Sequence, residues 1–350
     1  MAATRTTLHR DAGLWGWAFL ALLAAALGLQ VAALTLPFVH VSVFLAGAQD
    51  YRLVHTAQLM WEAKLYLLAG LIVGFSVVFP FVKIAGIALA WLGMMPGPAR
   101  SWLLEALGKL GKWSMIDPLA VCLLVVFASD QWAVSADTKP GVICFLCAIA
   151  ISMVLSAIAQ HRDRLPAAAD TERSDRAAAR VTLDFPWTLI VPGALCAAAC
   201  AFVSTLNAPL LQVHQFLLKD TAFGLVEAGG ALFASHQWAL ALLVWGGLIV
   251  VPAAVIAAQF AFWLIPAARP RQRLAWHGIS FLREWSMLEV FAVALALFLS
   301  EGGGFIKTEM RAGFWVLFGA IGAQLVSNVT VRMALRSSLR ATSAAPPAAP

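Results

Sequence analysis

Apolar residues in this chain run in long blocks, and most of the charge sits in the short connectors between them. The first block spans Leu14 to about Pro37, and the second runs from Leu65 to about Met95. The third covers about Met115 to Ala133, and the fourth Gly141 to Ala159. Beyond a polar stretch come Trp187 to Leu211, Gln237 to Pro266, Met287 to Ser300 and about Ala312 to Val331. Crossing roughly 30 Å of hydrocarbon takes about 20 helical residues. The pattern therefore predicts an all-α membrane protein with eight transmembrane helices. The seventh block is the shortest. It reaches spanning length only if Ile279 to Trp285 or the following GGGF stretch contributes.

The order of the blocks is itself repeated. GKWSMIDPLAV and REWSMLEVFAV place Trp113, Ser114 and Met115 against Trp285, Ser286 and Met287, 172 residues later. The same offset, without a gap, pairs Trp15 with Trp187, Pro37 with Pro209, Gly74 with Gly246, and Pro80 with Pro252. Apolar coincidences are cheap in such a chain, but Trp and Pro coincidences at one offset are not. Two four-helix repeats follow. Each has an even number of spans, so both enter from the same side and are parallel repeats, not inverted ones. The expected organisation is a first repeat over 1–162, a flexible linker over 163–182, a second repeat over 183–335 and a disordered tail over 336–350.

Composition and charge sharpen this reading. Hydrophobic residues make up 61% of the chain and charged residues 12%, against roughly a quarter charged in a water-soluble domain. Of the 24 Lys and Arg residues, 17 fall on the side that holds both termini, 6 on the other, and Lys83 lies inside a span. Basic connectors stay cytoplasmic, so both termini are expected in the cytoplasm. The excess of positive charge reflects orientation and gives no support to a nucleic-acid partner. The opening residues precede an apolar block too long for a secretory signal, so the first span is expected to be retained.

Few residues in the spans carry chemistry. Pro80 and Pro252 lie well inside the second span of each half, where a proline removes a main-chain donor and bends the helix. Lys83 sits one turn beyond Pro80, nearer the cytoplasmic face. It either snorkels to the headgroups or faces the interior and pairs with a carboxylate or an anionic headgroup. Its counterpart in the second half is Val255. Asp117 and Glu289 each lie four residues after a repeated tryptophan, where a carboxylate favours a helix start. Ser114 and Ser286 are candidate N-caps for them, and Trp113 and Trp285 are candidate headgroup anchors. Thr35 and Asn207 mark the external ends of the first spans. Lys83 with Asp117 is the natural candidate for a cross-helix ion pair.

Enzyme chemistry finds no footing. The seven histidines are scattered without ligand spacing, and Cys144 and Cys147 form a CxxC pair with no second pair or histidine near it. There is no phosphate-binding loop, nucleophile elbow or dinucleotide fingerprint. No catalytic residue, metal or cofactor is expected.

The motifs LGKWSMIDPLAV, FLREWSMLEVFAV, FPFVK and its weaker echo VPAAV, set in a duplicated four-span unit, resemble the paraquat-inducible protein A family of Gram-negative inner-membrane proteins. The resemblance implies an inner-membrane component that passes phospholipid to or from a periplasmic MCE-domain partner. It also implies functional weight on FPFVK and the two WSM elements. Family members often carry zinc ribbons with paired CxxC motifs. Such pairs are missing here, so zinc is not expected. Two other readings stand beside lipid handling: a secondary transporter of a small solute, and a non-transporting subunit that anchors a partner.

The topology predicts that reporter tags beside Asp50 and Asp170 lie in different compartments. Finding both in one compartment, by alkaline phosphatase and fluorescent-protein fusions, would break the span count and the charge assignment together.

Overall fold

In a computed structural model, residues 13–43, 47–64, 66–129, 134–172, 187–214, 220–264, 278–302, 308–310 and 312–344 are described. Helix α1 (Leu14–Thr35) leads into an antiparallel pair, β1 (Val39–Val43) and β2 (Gly47–Tyr51), and then a short helix, α2 (Leu53–Glu62). The second span is a composite. Helix α3 (Tyr66–Leu71) widens into a π turn (Ile72–Val78) and continues as α4 (Phe79–Trp91). Helix α5 (Gly97–Gly111) and a 3-10 turn (Lys112–Met115) lead to α6 (Ile116–Ser129), strand β3 (Val134–Thr138) and the long α7 (Pro140–Glu172).

The second half repeats this order. It comprises α8 (Trp187–Asn207), β4 (Leu211–His214), β5 (Asp220–Phe223), α9 (Leu225–Ala234) and α10 (Trp238–Leu243). A second π turn (Val244–Val250) runs into α11 (Val251–Leu264). After it come α12 (278–285), α13 (Leu288–Gly302), β6 (Thr308–Met310) and α14 (Ala312–Ala344). Shifting the first half by 172 positions carries α2 onto α9, α3 onto α10, one π turn onto the other, and α7 onto α14, residue for residue. Strand register shifts by the same amount. Val41 pairs with Gln49 and Ala136, and Val213 pairs with Thr221 and Thr308. Even the left-handed residues correspond: Lys64 at φ 63° and His236 at φ 59° turn the chain into the second span of each half.

Among the described residues, six helices are long and apolar enough to cross a membrane: Leu14–Thr35, Ala69–Trp91, Pro140–Asp163, Leu189–Asn207, Trp238–Leu264 and Ala312–Ala334. The protein is therefore a helical multi-pass membrane protein. Six spans of this strength stand where eight were expected, and 130–133 of the third block and 303–305 of the GGGF stretch lie outside the described residues. The third block forms α6, of 14 residues, and the seventh forms α13, of 15 residues. At 1.5 Å per residue these helices are about 21–23 Å long, short of the hydrocarbon thickness. The segment before α13 does not lengthen it, because the chain leaves helical geometry at Ser286 and Met287.

Three further expectations are revised. The all-α reading missed the two three-stranded sheets, ordered β2-β1-β3 and β5-β4-β6. Helix α7 continues to Glu172, ten residues into the expected linker, and 173–182 lie outside the described residues. Helix α14 runs to Ala344 through most of the expected tail.

The chain divides into two compact units. The first comprises Met1–Arg173, Ala228–Val244 and Val293–Ile306; the second comprises Ser174–Glu227, Trp245–Ala292 and Lys307–Pro350. The units thus do not follow the repeat boundary. In the first, α1 packs along α7 and α4, and the core gathers Phe19, Leu23, Ile84, Ile87, Trp91 and Leu104. Phe19 stacks on Trp91 with ring centres 3.8 Å apart. At the end of this unit away from its sheet, Arg100 of α5 bonds Asp163 of α7 at 2.6 Å. In the second unit, α8 packs along α14 and α11 over a smaller core of Val191, Leu195, Val331 and Ala334. In both, the first span of a repeat lies against its last.

That closure rests on a glycine in each repeat. A Cβ at Gly141 would lie 2.6 Å from the Pro37 carbonyl oxygen, and one at Gly313 would lie 2.2 Å from that of Pro209. Gly141 also donates its N–H to Pro37 at 3.1 Å. Gly313→Ala and Gly141→Ala should each cost about 1–3 kcal/mol by overpacking, seen as lower melting temperatures in detergent. Gly28→Ala, which meets nothing within 4 Å, should be neutral or stabilising by up to about 1 kcal/mol.

Candidate functional site: the interrupted second span and the WSM segment

In both repeats the chain does the same thing before the proline of the second span. The helix widens to a π turn, in which Phe79 N–H reaches back five residues to the Gly74 carbonyl. Pro80 and Pro252 then follow, both buried. A proline has no N–H, so one main-chain acceptor in each turn loses its helical donor. Inside hydrocarbon, water cannot replace it.

Each repeat supplies a donor from elsewhere. In the first, Gln30 of α1, 1% exposed, donates its side-chain amide to the Ser76 carbonyl at 3.2 Å. Ser76 lies four residues before Pro80. In the second, the N–H of Met287 donates to the Gly247 carbonyl at 3.2 Å, five residues before Pro252. The contact is close: a Cβ at Gly247 would lie 2.9 Å from Met287 Sδ and 3.6 Å from its Cβ. The WSM segment of the second repeat is therefore seated on the interrupted turn. In the first repeat the same two elements meet through Phe75 and Trp113, whose ring centres are 6.3 Å apart.

Around this junction the first repeat buries polar side chains. Lys83 is 1% exposed, Ser76 0%, Ser114 1% and Asp117 7%. Lys83 does not snorkel. Its ammonium packs over Gly111, where a Cβ would come within 2.8 Å of Nζ. The Ser76 hydroxyl faces the Asp117 carboxyl without hydrogen-bond geometry, and the Ser114 hydroxyl is likewise buried without a hydrogen bond. Ser114 lies within the 3-10 turn, already helical at the position where an N-cap would be extended. That is why the expected cap is not formed there.

The remaining expected residues fall as follows. In the second repeat, Ser286 is buried and its N–H closes on the Arg283 carbonyl at 3.3 Å, while Glu289 and Trp285 are half-buried. Trp285 packs near Phe281, ring centres 6.0 Å apart. Thr35 and Asn207 are exposed and bond back onto their own helices, Thr35 to the Ala32 carbonyl at 3.0 Å and Asn207 to the Val203 carbonyl at 2.8 Å. Both act as helix ends.

Sequence reasoning missed several residues. Gln30 and Ser76 were not singled out, although Gln30 is an amide inside an otherwise apolar block. A second buried group joins α11 to α14 in the second unit: Gln259 Nε2 donates to Asn328 Oδ1 at 2.5 Å, and the Ser327 hydroxyl donates to Gln259 Oε1 at 3.4 Å. The signal was polar residues within AAQFAF and LVSNVT. Gly111 gave no signal, being one glycine among many.

Comparison with known proteins decides the family. The model of the paraquat-inducible protein A family matches residues 18–164 and again 189–335. The chain belongs to this family. The two matches cover most of the chain and bear out the internal duplication. No curated protein and no solved structure matches. Paraquat-inducible protein A family members are non-catalytic, and no group of three or more metal-binding side chains occurs among the described residues.

The Gln30 contact makes a measurable prediction. Gln30→Leu should destabilise the wild-type protein by about 1–3 kcal/mol, the penalty for a buried acceptor left unpaired. In a Pro80→Ala background, where a main-chain donor returns to the turn, the same change should cost much less. Equal effects in both backgrounds, by thermal unfolding in detergent, would refute the link between proline and amide.

Proposed function

We propose that the protein is an inner-membrane lipid-handling component, with both termini cytoplasmic, that passes phospholipid to or from a periplasmic MCE-domain partner. Family membership supports the membrane setting and the general role. The observation that carries the choice of substrate class is Lys83. A lysine buried to 1% exposure in a span has a steep desolvation penalty unless an anion or dipoles offset it. It lies on the interrupted second span against Gly111, in a repeat that also buries Ser76, Ser114 and Asp117. In this reading Lys83 contacts the lipid phosphate, Asp117 holds the lysine in its ionised form, and the interrupted turns of Pro80 and Pro252 let the second spans flex around the lipid. Trp113 and Trp285 hold the WSM segments at the cytoplasmic headgroup level.

One observation favours a second reading, transport of a small solute. The Gln259–Asn328–Ser327 group is a buried neutral site of the kind that binds polar solutes within spans. It has no match in the first repeat, where the corresponding residues are Ile87, Ser156 and Leu155. Lipid handling accounts for more of the buried polar residues.

Purified protein in vesicles should crosslink photoactive phospholipid, and Lys83→Ala should lower the yield about tenfold or more, the effect of one lost charge-assisted contact. Co-purified periplasmic protein should appear in a mild-detergent pull-down. Proton- or sodium-driven solute uptake with unchanged lipid crosslinking would favour the transporter. Full restoration of the outer-membrane barrier by a protein lacking both Lys83 and Asp117 would favour a purely anchoring role.

A further inference from the structure

The repeats match element for element, yet Lys83 corresponds to Val255, which removes the cation from the second half. In the first repeat, the side-chain direction of residue 111 and the ammonium of Lys83 claim one volume, since a Cβ at Gly111 would lie 2.8 Å from Nζ and 3.4 Å from Cε. The lysine is accommodated because residue 111 is glycine. In the second repeat the position corresponding to Gly111 is Arg283, and the position corresponding to Lys83 is Val255, fully buried. Both positions differ between the repeats, and the differences are complementary in sequence: a long cation and a minimal residue in the first, a short apolar residue and a long cation in the second.

We propose that Arg283 is the second repeat's counterpart of Lys83. Each repeat then holds one cation at the same place in its bundle, for a phosphate-bearing anion. It is supplied by the second span in the first repeat and by the segment before WSM in the second. The proposal rests on the reading of Lys83 as a phosphate contact and extends it to a second site. The surroundings of Arg283 support it. The side chain is half-buried and within electrostatic range of Glu289, the counterpart of Asp117, as well as of Glu284 and Arg332. A carboxylate at the start of the following helix thus accompanies the cation site in both repeats. The two sites differ in geometry. The arginine fork binds two phosphate oxygens side by side, whereas the lysine is a point charge.

The arrangement is tested by moving the cation. Full-length protein in vesicles is labelled with a photoactive anionic phospholipid, and each variant is first shown to be monodisperse by size exclusion. Arg283→Gly should lower labelling about tenfold or more, the effect of removing one charged contact. Adding Val255→Lys to that variant should restore it, by rebuilding the first repeat's arrangement in the second. Lys83→Val should likewise lower labelling, and Gly111→Arg should restore it. Gly111→Arg with Lys83 retained should be disruptive, since two cations would compete for one volume.

Wild-type labelling by Arg283→Gly, with Lys83→Val defective, would overturn the proposal and leave the reading of Lys83 intact. Wild-type labelling by Lys83→Val would overturn that reading first. Failure of Val255→Lys to restore a well-folded Arg283→Gly protein would also overturn the proposal. Excess inorganic phosphate that suppresses labelling at the restored site supports the anion site and assigns it to free phosphate. Labelling that resists phosphate and is restored by the moved cation supports it as a headgroup site.

Discussion

Inside a bilayer, a main-chain acceptor that loses its helical donor must find another within the protein. This chain creates that problem twice, by placing Pro80 and Pro252 in the middle of its second spans, and it solves it twice with different donors. Gln30 reaches across from α1 in the first repeat, and the Met287 N–H reaches across from the WSM segment in the second. Much of the rest follows from this. The first span must pass close to the second at Gln30, and the WSM segment of the second repeat lies on the π turn, with Met287 packed against Gly247. Ser76, Ser114 and Asp117 are buried where these elements meet, at the place where helical regularity is already broken.

The duplicated plan explains how such a junction carries a function. A repeat copied intact keeps its interrupted turn and its WSM segment, since both are needed to satisfy the backbone. The side chains around them are free to diverge so long as volume and charge are conserved. The positions of Lys83, Gly111, Gln30 and Phe75 hold Val255, Arg283, Phe202 and Gly247 in the second repeat. The membrane setting makes such exchanges consequential, because a buried charge without a partner or ligand would be strongly destabilising.

Much of this was legible in the sequence. The offset of 172 residues located both repeats and, in the structure, the strand registers and left-handed turns as well. The six strongest apolar blocks became the six strong spans. Other features were hidden for physical reasons. The strands VHVSV and LQVH pair with their neighbours β2 and β5 but also with β3 and β6 far along the chain, and no local pattern reveals those distant partners. Hydropathy counts apolar residues without regard to where helical geometry breaks, so the break at Ser286 and Met287 before α13 gave no signal. Composition could not tell a snorkelling Lys83 from a buried one, because the difference lies in a glycine on another helix.

The seating of the WSM segment on the interrupted turn is the claim on which the rest depends, and one disulfide tests it. A Cβ at Gly247 would lie 3.6 Å from that of Met287, inside the range of about 3.5–4.5 Å that a disulfide needs. With the five natural cysteines replaced, Gly247→Cys with Met287→Cys should oxidise readily to an intramolecular bond detected by intact mass. Gly246→Cys with Met287→Cys should remain reduced under the same treatment. A free 247–287 pair, or equal oxidation of both pairs, would contradict the account.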